Sequence, residues 1–205
     1  MIVCVATWLI RVAAMLLRRS VARTLLRLSG WTLVGKIPPK GILVGAPHTS
    51  QWDFLAFLVI AWANGVQPKV LVKRSFFKGP LGPILRAAGG IALDRANPGE
   101  TIRALLKDAD KHPAFLLTVA AEGTRTPVEY WKAGFYRMSQ QTGLPIALGF
   151  VDGPTKTLGI GPSFTPSGDV VADMDRVRAF YADKHGVRPD DRPEPRLREE
   201  ADRSI

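Results

Sequence analysis

Residues 41–60 read GILVGAPHTSQWDFLAFLVI, and the change of pattern in the middle of this stretch decides the fold class. As far as Ala46 the run is short and apolar, as a strand buried on both faces would be. Pro47 ends it. From Trp52 onward, Phe54, Leu55, Phe57 and Leu58 begin an apolar helical face, with Thr49 or Ser50 placed to cap it. The alternation continues along the chain: ILVGA, KVLV, GIALD, AFLLTVAAE, PIALGFV and TLGIG read as strands, with helices expected near 52–64, 76–88, 99–111, 131–142 and 170–184. The expected fold is therefore α/β, a mixed and largely buried β-sheet flanked by helices. The clearest helix start is NPGETIRALLKDA, where Asn97 caps, Pro98 fits the first helical position and Glu100 returns a capping-box bond, so that Ile102, Leu105, Leu106 and Ala109 face the core.

With 205 residues the chain suffices for one sizeable domain. Cys4 is the only cysteine, so an intrachain disulfide and a four-cysteine zinc site are both excluded. A net charge of +10 on a chain that is 46% apolar describes a folded protein with an anionic partner, not a disordered polycation.

Nucleic acid and membrane are the two obvious anionic partners, and residues 1–28 favour the second. MIVCVATWLIRVAAMLLRRSVARTLLRL is apolar but interrupted by Arg11, Arg18, Arg19, Arg23 and Arg27. Arg11 sits near the middle of the run that would have to cross a bilayer, whereas on a helix the five arginines occupy roughly half the circumference. The expectation is an amphipathic interfacial helix, its cations on anionic lipid; the alternative is an ordinary amphipathic helix packed on the core. Residues 29–185 form the expected domain, and the charged, proline-rich GVRPDDRPEPRLREEADRSI from Gly186 onward is expected to be a solvated tail.

Chemistry-bearing residues gather where apolar runs end. His48 and Asp53 would point about 140° apart on a continuous helix. A turn between them lets them converge, the carboxylate accepting one imidazole N–H and leaving the other ring nitrogen as a base. The same spacing also fits a histidine that caps a turn and an aspartate favoured at a helix N-terminus. His112 and His185 stand apart from this pair, so no metal-ligand cluster is visible. The run FLLTVAA ends in EGTRTP, where Gly123 allows a tight path, Thr124 adds a hydroxyl and Arg125 offers a fork suited to phosphate. Strand ends are where open α/β sheets collect ligands.

Together these stretches resemble the glycerolipid acyltransferases of the lysophosphatidic acid acyltransferase type, with their His-x4-Asp and Glu-Gly-Thr-Arg motifs. HTSQWD matches the first motif and EGTR the third. VKRSFFKGPLGPILRAAGGIALDR is similar to the intermediate block, with Lys73, Pro80, Gly82, Gly90 and Asp94-Arg95 in order, and LPIALGF resembles the closing apolar strand. The resemblance spans about residues 41–151; Ala120-Ala121 stands where the family commonly has Phe-Pro. It implies that His48, oriented by Asp53, deprotonates an acceptor hydroxyl for attack on the thioester of acyl-CoA or acyl carrier protein, without metal or cofactor. It also implies that Arg125 and Lys73 hold the phosphate of a lysophospholipid or related glycerol phosphate acceptor, in a pocket shaped by Glu122, Gly123 and Thr124.

The leading expectation is a membrane-associated O-acyltransferase at the cytoplasmic face of the cell membrane. The alternatives are a non-catalytic lipid-binding protein of the same fold, which has no need of the base, and an esterase or thioesterase using the same dyad on water. No Gly-x-Ser-x-Gly elbow indicates a serine route, and no recognition motif accompanies the positive charge to indicate a nucleic-acid partner.

Overall fold

The computed structural model describes residues 2–94, 98–111, 114–188 and 191–201. A long helix α1 (Ile2–Ser29) leads into β1 (Thr32–Val34), β2 (Lys40–Gly45) and α2 (Trp52–Ala63). Then come β3 (Lys69–Lys73), a 3₁₀ turn (Arg74–Phe77), α3 (Leu81–Ala87), β4 (Gly90–Leu93), α4 (Pro98–Lys111) and β5 (Phe115–Ala120). The chain continues through α5 (Gly134–Thr142), β6 (Ile146–Asp152), β7 (Thr157–Phe164), α6 (Val170–Tyr181) and a short α7 (Arg198–Ala201). The strands form one mixed seven-stranded sheet in the order β1-β7-β6-β2-β5-β3-β4. β2 to β6 run parallel; β7 is antiparallel to β6 and parallel to β1.

Strand alternation divides the core in two. Ile42 and Val44 of β2 join Phe115 and Leu117 of β5, Leu148 of β6 and residues of α4, α5 and α6 on one face. Leu43, Leu116, Ala147 and Val151 point to the other face, where Phe57, Ile60 and Ala61 of α2 and Ala22 and Leu26 of α1 cover them. Every residue of β6 is buried, which explains its unbroken apolar reading. Helix α2 is seated by Phe57, whose ring occupies a notch over Gly45 and Gly149: a Cβ on Gly45 would come within 2.5 Å of that ring and one on Gly149 within 3.0 Å. The two glycines thus set how closely the helix carrying Asp53 approaches the strand leading to His48.

Six of the seven strands lie where the apolar runs place them. The helix expected over 76–88 is divided into the 3₁₀ turn and α3, because Gly79, with φ of 75°, turns the backbone between them. The Asn97 cap, Arg95 and His112 fall outside the described residues. Among those described, no helix is long and apolar enough to cross a membrane.

The solvated tail needs correcting. Gly186 bridges to Asp152 at the end of β6, Arg196 O accepts the Trp131 N–H at 2.8 Å, and Leu197 is fully buried in the core. Its charges are used internally: Glu200 pairs with Arg178 at 2.7 Å, Glu199 with Arg137, and Arg192 with Glu122. Residues 186–188 and 191–201 form a strap across the domain, held by the apolar side chains of Val187 and Leu197 and by ion pairs with residues distant in sequence.

Candidate active site

Parallel register brings the two motif-bearing strand ends together. Gly45 of β2 lies opposite Ala120 of β5, so the turns beginning at Ala46 and Ala121 leave the sheet side by side. In the first turn, Asp53 Oδ2 lies 2.9 Å from His48 Nδ1 and accepts the Ser50 N–H at 2.9 Å. The carboxylate is buried, with 1% of its side chain exposed, while 24% of the His48 side chain is accessible. A carboxylate accepts, so Nδ1 carries the hydrogen and Nε2 keeps its lone pair. The expected capping is redistributed. Ser50 Oγ accepts the Trp52 N–H at 3.2 Å, whereas Thr49 Oγ1 accepts the N–H of Arg188 at 3.0 Å.

Glu122 is buried behind this turn. Its Oε1 accepts the His48 backbone N–H at 3.1 Å, and its Oε2 pairs with Arg192, which also donates to the Arg125 carbonyl. One carboxylate and one guanidinium thereby tie the His48 backbone to that of Arg125. Glu122 takes part in shaping the site as a buttress and presents no donor to a phosphate. Gly123 has φ of 69° and donates its N–H to Ala120 O at 3.1 Å, turning the chain out of β5. Thr124 Oγ1 is 3.1 Å from Thr126 Oγ1 on the exposed side of that turn.

A cavity of about 610 Å³ opens beside the dyad. Thr49, Ser50, Gln51, Trp52 and Leu55 line it from the turn and α2, joined by Arg125 and by Arg188 of the strap. His48 is one residue from that wall. Lys73 is exposed at the end of β3, separated from β2 by β5, and is not among the lining residues. The structure therefore gathers His48, Asp53, Glu122 and Arg125 and leaves Lys73 outside the cavity lining.

Three contributors escaped the sequence reading. Arg192 lies 70 positions from Glu122 with no periodic signal to connect them. Tyr181, at the end of α6, places its hydroxyl 3.0 Å from both Val44 O and Gly149 O, bracing β2 against β6. Burial, reinforced by the Glu122 carboxylate, pushes its phenol well above the ordinary range, so it remains a donor. Asp152 is the third. Burial alone would raise its pKa, but hydrogen bonds from Thr155 and from His185 outweigh that and hold the carboxyl below its usual value. This anchor is at full strength above the unfolded-state pKa and is lost as pH falls through the depressed folded one. It seats the start of the strap: Asp152 Oδ1 accepts the His185 N–H at 3.0 Å, and Gly153 N–H reaches Gly186 O at 2.8 Å.

No curated protein matches the chain. Among solved structures, it is similar to the crystal structure of the 1-acyl-sn-glycerophosphate (LPA) acyltransferase PlsC from Thermotoga maritima. The TM-score is 0.56 at 16% identity, over 82% of this chain and 77% of that one. At that identity the likeness establishes a shared fold. The acyltransferase family model matches residues 32–147, more than half of the 205-residue chain and inclusive of both strand-end turns. The chain belongs to the acyltransferase family.

Proposed function

We propose that this acyltransferase esterifies the hydroxyl of a glycerol phosphate or lysophospholipid acceptor with a fatty acyl group from acyl-CoA or acyl carrier protein. The observation that carries this reading is the His48–Asp53 contact, which reserves Nε2 as the basic nitrogen. Nε2 takes the acceptor's hydroxyl proton as its oxygen attacks the thioester carbonyl. Collapse of the tetrahedral intermediate breaks the C–S bond, and the proton held by the imidazole passes to the departing sulfur. The products are an ester and a free thiol. Arg125 supplies a fork for the acceptor's phosphate, Lys73 adds positive potential from the end of β3, and Gly123 and Thr124 form the turn that presents Arg125.

The test is an acyl-transfer assay with phosphate-bearing and phosphate-free acceptors, read by mass spectrometry. Ester should form with the phosphate monoesters, and replacing the phosphate with a neutral group should lower kcat/KM by about tenfold or more. Thiol release with no ester in the presence of every acceptor would make the protein a thioesterase.

We further propose that the enzyme is membrane-associated and works at the cytoplasmic face, where its donors reside; the side-chain arrangement of α1 supports membrane contact. With Ala22 and Leu26 against the domain, helical spacing puts Leu17, Val21, Leu25 and Leu28 on one flank and Arg19, Arg23 and Arg27 on the other. Arg18 is turned inward, donating to Gln67 and to Ala87 O beside the Trp62 ring. The apolar flank supplies burial and the three outward arginines electrostatic attraction to anionic lipid. In vesicle flotation, Arg19→Gln, Arg23→Gln and Arg27→Gln together should weaken binding to anionic vesicles by on the order of 10²-fold, each cation near the surface contributing about 1 kcal/mol. Equal binding by wild type and triple variant would remove the arginines from the membrane contact.

A further inference from the structure

Arg188 belongs to no motif and lies beyond the portion matched by the family model, which ends at residue 147. It nevertheless lines the same cavity as Arg125. Its position is built at three points. Asp152, buried at the end of β6, accepts from the backbone of His185 at 3.0 Å and lies 3.2 Å from its ring Nδ1. Gly186 then passes against Thr49 with φ of 76°, where a Cβ would come within 2.5 Å of the threonine methyl, so only glycine fits without displacement. Finally, the Arg188 N–H donates to Thr49 Oγ1 at 3.0 Å, fixing the strap to the residue that follows His48.

Electrostatics indicate what the cavity would hold. Among the described residues, neither Arg125 nor Arg188 has a carboxylate partner, although Arg74, Arg137, Arg178 and Arg192 all do. Two guanidiniums brought to one polar cavity repel each other unless an anion lies between them, and their forks suit the oxygens of a phosphate monoester. Trp52 and Leu55 add an apolar wall, which fits a ligand whose anionic group adjoins a hydrocarbon portion.

We propose that Arg188 is a second phosphate-binding residue, delivered by the C-terminal strap, which with Arg125 forms a two-arginine site for the acceptor's phosphate monoester. This rests on the acceptor reading above. The phosphates of CoA or of a carrier protein's prosthetic group share the chemistry, and the position beside the His48 turn favours the acceptor. The strap thereby makes acceptor recognition depend on a segment distant in sequence from both motifs.

The experiment separates these sources and is independent of turnover. Titration calorimetry with sn-glycerol 3-phosphate, glycerol and CoA compares wild type with Arg188→Gln, Arg188→Lys and Arg103→Gln. The last removes an equal charge from the exposed face of α4, remote from the site in sequence and outside the cavity lining. Glycerol 3-phosphate should bind about tenfold more weakly to Arg188→Gln, with Arg188→Lys between that variant and wild type and Arg103→Gln unchanged. CoA affinity should be the same in all four proteins. Wild-type affinity for glycerol 3-phosphate in Arg188→Gln would overturn the proposal while leaving acyl transfer intact. An equal loss in Arg103→Gln would reduce the effect to net charge, and a loss confined to CoA would assign the arginine to the donor. Were the protein to transfer no acyl group, the titration would still report whether two arginines share a phosphate.

Discussion

His48→Ala yields a protein that melts like wild type and transfers acyl groups at least 10²-fold, and up to about 10⁴-fold, more slowly. This is the span that a positioned general base contributes. Its side chain is partly exposed and its fold-linking contact to Glu122 is made by the backbone N–H, which alanine retains. Removing the ring therefore removes chemistry and little structure. Asp53→Asn should lose activity over the same range by a different route. Asp53 Oδ2 serves both the His48 ring and the Ser50 N–H. An asparagine that keeps its oxygen there buries an unpaired amide, and one that turns its NH2 toward the ring imposes the wrong tautomer. Turnover and thermal melting are measured side by side; a folded His48→Ala protein with near-normal turnover excludes the base.

Arg192→Ala is the substitution expected to cost most stability. The Arg192 side chain is only 10% exposed and its partner Glu122 only 4%. Removing the cation leaves a buried carboxylate without its main compensation, typically about 3–5 kcal/mol. For a domain of this size that corresponds to a fall in Tm of roughly 6–20 °C. Activity should fall below what the folded fraction explains, because the same guanidinium holds the Arg125 carbonyl and, through Glu122, the His48 backbone. Adding Glu122→Gln to Arg192→Ala should recover part of the stability by removing the stranded charge, but not the activity. Denaturant unfolding of both variants decides the matter: wild-type stability in Arg192→Ala would show that this ion pair is dispensable.

The legible parts of the sequence were those where adjacent residues share one environment. β2, β5 and β6 are buried along nearly their whole length, so their apolar runs announce them. The convergence of His48 and Asp53 was legible because proline, hydroxyls and a new helical face all fall within a few residues. β1 was missed because Thr32–Val34 is three residues long, and its pairing with β7 leaves no pattern distinct from a loop. The strap was misread for the opposite reason. A run of arginine, aspartate, glutamate and proline has the composition of a solvated tail, and only tertiary structure reveals that Arg192, Glu199 and Glu200 have partners at positions 122, 137 and 178. Lys73 illustrates the limit of motif order, which places it in the intermediate block but not in the cavity wall.

In the proposed mechanism His48 activates the acceptor hydroxyl for direct attack, so that thiol release requires an acceptor. Rapid-quench mixing of enzyme with acyl-CoA, with and without acceptor, measures this most directly when ester, free thiol and the intact protein mass are followed together. The predicted result is ester and thiol rising in equal amounts when acceptor is present, and without it neither a thiol burst nor any gain in protein mass. A stoichiometric burst of thiol without acceptor, accompanied by an acyl adduct on the protein, would contradict it and require a covalent nucleophile.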